Sequence, residues 1–167
     1  MRNSVTPTPA WEISPARPEQ PEAAAVLRRY YVEIVNRYWQ REVAESVVDM
    51  AMAEEPSDDL VPPTGLFLVA TAGGRTVGCV GLRLREPGTA ALTRMYVDAA
   101  ARGQGGGSRL LRAAEREARA LGIRRLRLDT RNDLVEARGL YAKNGYAEVE
   151  PFWEATYGEH FFEKHID

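Results

Sequence analysis

The chain has one cysteine, Cys79, so no internal disulfide can staple it. It has two histidines, His160 and His165, at no metal-ligand spacing and with no cysteine pair nearby, so no bound metal is expected. Lysine is nearly missing: Lys143 and Lys164 stand alone, and the rest of the basic charge is arginine. No apolar run approaches the length of a membrane span, and the start, Met1-Arg2-Asn3-Ser4-Val5-Thr6-Pro7-Thr8-Pro9, lacks the apolar centre of a signal peptide. These absences lead to the expectation of a metal-free cytoplasmic protein with no membrane partner. There is no internal repeat and no low-complexity tract. What remains is 167 residues, 44% of them hydrophobic, enough for one ordinary domain with a substantial core. Residues 1–10 read as a flexible, proline-punctuated tail, and 11–167 as the domain.

Net charge is only -2, but it is unevenly placed. Residues 102–131 hold nine arginines against Glu115, Glu117 and Asp129, whereas residues 1–60 hold eleven acidic against six basic side chains. Solvated helix faces with i, i+4 pairs such as Glu115–Arg119 account for much of this. A basic collar for phosphates is the functional alternative for the first region, and an acidic wall for a cationic ligand is the alternative for the second. Nucleic acid is a poor partner for a net-acidic domain without a basic, aromatic-lined face.

The densest signal is Arg102-Gly103-Gln104-Gly105-Gly106-Gly107-Ser108. It follows the strand-like Leu92-Thr93-Arg94-Met95-Tyr96-Val97 and opens a helix-like Arg109–Arg116. Glycine costs about 1 kcal/mol against alanine inside a helix. In return it leaves backbone N–H groups bare at the positive end of a helix dipole, where an anion can sit. A P-loop is excluded, because no lysine follows these glycines. The dinucleotide fingerprint wants glycine where Ser108 stands, and a βαβ unit around it. The segments before the loop read instead as antiparallel hairpins, Leu66–Ala70 to Thr76–Leu82 around Gly73-Gly74, then Glu86-Pro87-Gly88 turning into the strand through Val97. Arg-x-x-Gly-x-Gly is what remains, met by Arg102, Gly105 and Gly107.

With these letters the chain resembles the GNAT N-acetyltransferase superfamily, whose pyrophosphate motif is Gln/Arg-x-x-Gly-x-Gly/Ala. Two further segments carry the resemblance. The strand Leu92–Val97 matches the one that runs into the family's loop. Ala137-Arg138-Gly139-Leu140-Tyr141-Ala142-Lys143-Asn144-Gly145-Tyr146 matches its Ala-x-x-Leu-Tyr-x-x-x-Gly-Phe/Tyr signature. The resemblance is tight over 89–146 and fair over 64–88. It implies an α/β three-layer fold, a mixed and mainly antiparallel sheet with helices on both faces. The element pattern agrees: a strand at Trp11–Ile13, helices from Pro21 and over Arg41–Ala53, a helix ending at Leu121-Gly122, a strand at Arg125–Asp129, a helix over Leu134–Asn144, and closing strands near Tyr146–Val149 and Glu159–Ile166. Ala24, Leu27, Tyr31, Ile34, Val35 and Tyr38 are expected inward on the first helix, and Val43, Val47, Met50 and Ala51 on the second.

The resemblance further implies acetyl-CoA as co-substrate and transfer of its acetyl group to the amine of a small molecule, by direct attack in a ternary complex. Met95, Tyr96 and Val97 would flank the pantetheine arm, with backbone groups of Met95 and Val97 pairing to it. The N–H groups over Arg102, Gly103, Gln104, Gly105, Gly106, Gly107 and Ser108 would take the pyrophosphate. Asn132 stands where the family often places another coenzyme contact, and is as readily a turn or N-cap residue. Tyr141 would protonate the departing thiolate; a packed helix tyrosine is the plainer alternative. Relatives often carry a glutamate near position 91 as base, but here Ala90-Ala91-Leu92 offers no carboxylate. Glu86, Glu148, Glu150, Glu159 and His160 are the substitutes in the sequence, each more simply a surface charge. Relatives usually have a branched apolar residue where Gly106 stands. The opening helices, with Tyr30, Tyr31, Tyr38 and Trp39, and the connection bearing Trp153 and Tyr157 are frequent acceptor walls. Cys79 reads as a small buried hydrophobe, and Gly78 and Gly81 as a bulge or a close approach, with simple packing an equal alternative. A non-catalytic acyl-CoA-binding module is the rival from another class, and the resemblance leaves monomer and homodimer both open.

Overall fold

A computed structural model describes residues 10–167; the expected tail therefore lies outside the described residues except for Ala10, which is exposed and irregular. The strands are β1 (Trp11–Pro15), β2 (Gly65–Ala72), β3 (Arg75–Leu84), β4 (Thr89–Val97), β5 (Arg125–Thr130), β6 (Ala147–Val149) and β7 (His160–His165). The helices are α1 (Pro21–Trp39), α2 (Glu45–Glu54), α3 (Gly106–Ala120) and α4 (Val135–Lys143). The strands form one sheet in the order β1-β2-β3-β4-β5-β7-β6, with every neighbouring pair antiparallel except β4 and β5. One face packs on Leu110, Leu111, Ala114 and Ala118 of α3 and Tyr141 of α4. The other packs on Ala23, Val26, Leu27 and Tyr31 of α1 and Val48 of α2. This is the three-layer, mixed-sheet architecture expected from the sequence.

Local chemistry sets the boundaries. The β2–β3 turn places Gly73 and Gly74 at φ 58° and 77°, the left-handed pair that a two-residue hairpin needs. α3 ends on Gly122 at φ 79°, where Ile123 N–H reaches the Ala118 carbonyl and Gly122 N–H the Arg119 carbonyl.

The second helix begins four residues later than expected. The Asn36 side chain accepts the Val43 N–H at 2.9 Å and holds residues 41–44 as a loop. Three inward assignments also change. Ala24 is exposed while its neighbour Ala23 is buried, and Tyr38 and Met50 are 48% and 64% exposed, both on the cleft described below.

The feature that positions the site is a bulge in β4. Tyr96 stands opposite Cys79 and Thr93 opposite Gly81, so Arg94 and Met95 together face the single residue Val80. Arg94 takes φ 56°, a left-handed conformation that costs a non-glycine residue about 1–2 kcal/mol. Its buried guanidinium offsets that cost with bonds to the carbonyls of Glu55 and Pro56 and the hydroxyl of Ser57, and it lies 5.4 Å over the Tyr31 ring. Just before the bulge the sheet divides. β4 pairs with β5 only through Thr89–Arg125, Ala90–Leu126 and Ala91–Arg127, although β4 continues to Val97 and β5 to Thr130.

Candidate active site

The split between β4 and β5 opens into a cleft of about 1300 Å³. On the α3 side its lining includes Arg102, Gly103, Gly105, Gly106, Gly107 and Ser108, with Met95, Tyr96 and Val97 along the free edge of β4. Tyr141 enters from α4, and Tyr30, Tyr38 and Trp39 from α1. Trp153 and Tyr157 form the wall between β6 and β7. The cleft thus runs through the sheet, from the N-terminus of α3 to the face covered by α1 and α2.

At the α3 end, Gly103 and Gly105 sit at φ 79° and 77°, and a Cβ on either would meet nothing within 4 Å. Among the described residues, none of the backbone N–H groups from Gly103 to Ser108 has a protein acceptor; the first bond of the helix is Arg109 N–H to the Gly105 carbonyl, 3.2 Å. A helix start must find partners for these donors, and here they face an open cleft at the positive end of the dipole. Gly107 has a different task, since its missing side chain lets Leu140 of α4 approach to 3.0 Å of where a Cβ would stand.

Gly106 is explained by Trp11. A Cβ on Gly106 would lie 2.0–2.7 Å from three atoms of the Trp11 indole, so the ring from β1 fills the space that a branched side chain on α3 would occupy. Gly106→Ala should therefore destabilise the protein by about 1–3 kcal/mol in urea unfolding, as overpacking does. In a Trp11→Ala background the sign should reverse, because alanine is then the better helix residue by up to about 1 kcal/mol. A destabilising effect in both backgrounds would refute the pairing.

Tyr141 is 6% exposed and packs edge-on against Tyr146 and tilted against Phe162, each at 5.8 Å between ring centroids. Among the described residues its hydroxyl has no hydrogen-bond partner, yet it is not sealed off. Burial, then nearby Tyr30, then Asp129, push its pKa above the ordinary tyrosine value. Burial likewise raises Tyr30, to about 12. Cys79 is fully buried, with Sγ donating to the Arg94 carbonyl, and burial raises its pKa.

Other sequence-derived residues are placed differently. Gln104 is exposed and does not line the cleft. Asn132 also lies outside the lining; its Oδ1 is 2.9 Å from Nε2 of His160, and its N–H donates to Glu159. The Val97 carbonyl already accepts from Arg102 Nε at 2.8 Å, and the same guanidinium pairs with Glu33 of α1. Glu86 pairs with Arg125 and Arg127, Glu148 holds the other nitrogen of His160, and Glu150 is exposed. None of Glu86, Glu148, Glu150, Glu159 and His160 lines the cleft. Arg94 and Asp129 do, and the sequence reading gave neither a role. Positive φ at an arginine has no sequence signature, and Asp129 looks like any polar position of an alternating strand.

A split parallel pair, a bulged strand and a glycine-bearing helix start at the split are a distinctive combination, and comparison with known proteins agrees with it. The model of the acetyltransferase (GNAT) family matches residues 24–146. The chain belongs to that family.

Among curated GNAT-related sequences it is 40% identical over 94 residues to the IAA acetyltransferase of Azospirillum brasilense, a stretch covering 56% of this chain and 61% of that protein. The chain thus spans about three fifths of that relative's length. Among solved structures, a GNAT-family acetyltransferase from Staphylococcus aureus Mu50 superposes with a TM-score of 0.76 at 20% identity, covering 95% of this chain and 100% of the other. The PaiA N-acetyltransferase of Thermoplasma acidophilum, solved in complex with coenzyme A, gives 0.73 at 21%, covering 93% and 99%. At these identities the structural likeness is one of fold. Among the described residues no group of histidine, cysteine and carboxylate side chains could hold a metal, and no helix is long and apolar enough to cross a membrane.

Proposed function

We propose that this GNAT protein transfers the acetyl group of acetyl-CoA to the amine of a small molecule, by direct attack within a ternary complex. The observation that carries the reading is the run of N–H groups from Gly103 to Ser108, unpaired among the described residues, on a loop whose Gly103, Gly105, Gly106, Gly107 and Ser108 line the split between β4 and β5. An anion held there lets an extended acyl arm lie along Met95, Tyr96 and Val97, with its reactive end near Tyr141. The donor set fits a pyrophosphate: backbone amides, a helix dipole and no competing carboxylate in the loop.

Each residue then has a task. The loop N–H groups from Gly103 to Ser108 bind the pyrophosphate; Arg102, engaged with Val97 and Glu33, fixes the loop to β4 and α1. The free edge of β4 orients the arm, with Met95 and the second lone pair of the Val97 carbonyl as its pairing groups. Tyr141, kept protonated by burial, supplies a proton to the departing sulfur. The β6–β7 wall and the C-terminal end of α1, where Tyr38 and Tyr157 meet at 5.4 Å, confine the acceptor. Asn132, held by His160, serves the end of β5 as a turn residue in this reading.

One observation favours a second reading, a non-catalytic acyl-CoA-binding module: Ala91 lines the cleft where a catalytic carboxylate would be useful. Thiol release from acetyl-CoA across a panel of small amines separates the two. Release that depends on an amine supports the transferase. Binding of acetyl-CoA without release by any amine would replace it with the binding module.

A further inference from the structure

We propose that Asp129 is the carboxylate that receives the acceptor amine and takes its proton, in place of the side chain that Ala91 lacks. The inference rests on the transferase reading above.

Four observations converge on it. First, register: Ala91 of β4 pairs with Arg127 of the parallel strand β5, and Asp129 follows two residues on. Paired residues share a face and strand residues alternate, so Asp129 lies on the same face as Ala91, one strand spacing of about 4.8 Å across and towards the open end of the split. The buried Leu126, Leu128 and Thr130 take the opposite face. Second, position: Asp129 lines the cleft together with Tyr141, and its charge is among the causes that raise the Tyr141 pKa. The proposed acid and base are therefore close enough to feel each other.

Third, orientation. Trp153 Nε1 donates to Oδ2 at 2.7 Å, leaving Oδ1 with no partner among the described residues and not sealed from solvent. Gly158 keeps room beside that oxygen, since a Cβ there would come within 2.9 Å of it. Fourth, charge. The arginines on either side of Asp129 have other carboxylates: Arg127 of β5 pairs with Glu163 at 2.7 Å, and Arg131, just past the strand, with Asp133 at 2.9 Å. Arg85 also lines the cleft, stacked 5.0 Å over the Trp153 ring, but makes no ion pair with Asp129. Among the described residues Asp129 is thus without a paired cation, beside the aromatic wall of Trp153 and Tyr157. That combination fits a primary amine, arriving protonated, on a small apolar body.

The ammonium gives one proton to Oδ1, which passes it to water at the cleft mouth. The neutral nitrogen attacks the thioester carbon, a C–N bond forms, and the nitrogen's second proton goes to Oδ1. The C–S bond breaks, the sulfur leaves with the bonding pair, and the Tyr141 hydroxyl protonates it. Asp129 returns its proton to solvent and Tyr141 recovers one, leaving an amide and a free thiol.

The test is a series of primary amines of near-equal size, whose pKa is lowered stepwise by β-fluorination from about 10 towards neutrality. They are assayed with the wild type and with Asp129→Asn and Asp129→Glu, with acetyl-CoA affinity measured on the same preparations. Asparagine keeps a carbonyl for Trp153 Nε1, so the wall stays in place. Asp129→Asn should lose about 100-fold or more in kcat/KM with the most basic amine. The loss should shrink steadily as the amine arrives already neutral, Asp129→Glu should recover part of it, and coenzyme affinity should not move. No loss, or an equal loss across the series, would overturn the role of Asp129. A wild type that binds acetyl-CoA but turns over none of the series would overturn the transferase reading itself, and the proposal with it.

Discussion

Gly105→Glu should abolish acetyl-CoA binding while leaving the protein folded. Gly105 immediately precedes α3 at φ 77°, and a side chain there would project into open space rather than into the core. The fold loses only the left-handed penalty, about 1–2 kcal/mol for a non-glycine residue. The cleft loses far more, because a carboxylate enters a cradle of unpaired N–H groups, satisfies them and repels the pyrophosphate. Losing an anion site of about 2 kcal/mol and adding repulsion of similar size weakens binding by roughly a thousandfold. Calorimetric titration with acetyl-CoA measures it, and Gly105→Ala isolates the backbone strain from the charge. If the glutamate variant binds as tightly as the alanine one, the loop does not hold the coenzyme.

Tyr141→Phe should lower kcat by about 100-fold, the low end for loss of a general acid, and leave coenzyme affinity where it was. Phenylalanine keeps the ring packed against Tyr146 and Phe162. The hydroxyl has no partner among the described residues, so its removal orphans no buried group there. Burial raises the Tyr141 pKa above its ordinary value near 10. The phenol is therefore protonated throughout the neutral range, and the wild-type rate should show no alkaline fall from this group below about pH 10. A parallel drop in kcat and coenzyme affinity would make Tyr141 a packing residue. An alkaline limb near neutrality that vanishes in the variant would refute the pKa argument.

The glycine-loop half of the proposed site could be read in the chain because its chemistry is local. Gly103, Gly105 and Gly107 lie within a few residues of the helix they open, and Leu140-Tyr141 within a single turn of α4. The acceptor half could not be read so. The candidate bases Glu86, Glu148, Glu159 and His160 looked equivalent in sequence, and ion pairs with residues from other elements, such as Arg125 and Arg127, take several of them out of contention. Gly106 looked like a defect until Trp11, from the far end of the sequence, filled its space.

By itself, then, the sequence determined the family, the three-layer order of elements and the glycine loop that opens α3. All of these follow from periodicity, turn chemistry and backbone freedom over short spans. Only the tertiary structure decided where β4 leaves β5, that Asp129 at the end of β5 lines the gap, and which aromatic rings wall it. Those depend on strand register and on partners dozens of residues apart: the Arg94 bulge is held by the loop after α2, and Asp129 is oriented by Trp153. Local letters carry no record of such contacts, because the energy that fixes them is shared between segments that meet only in the folded chain.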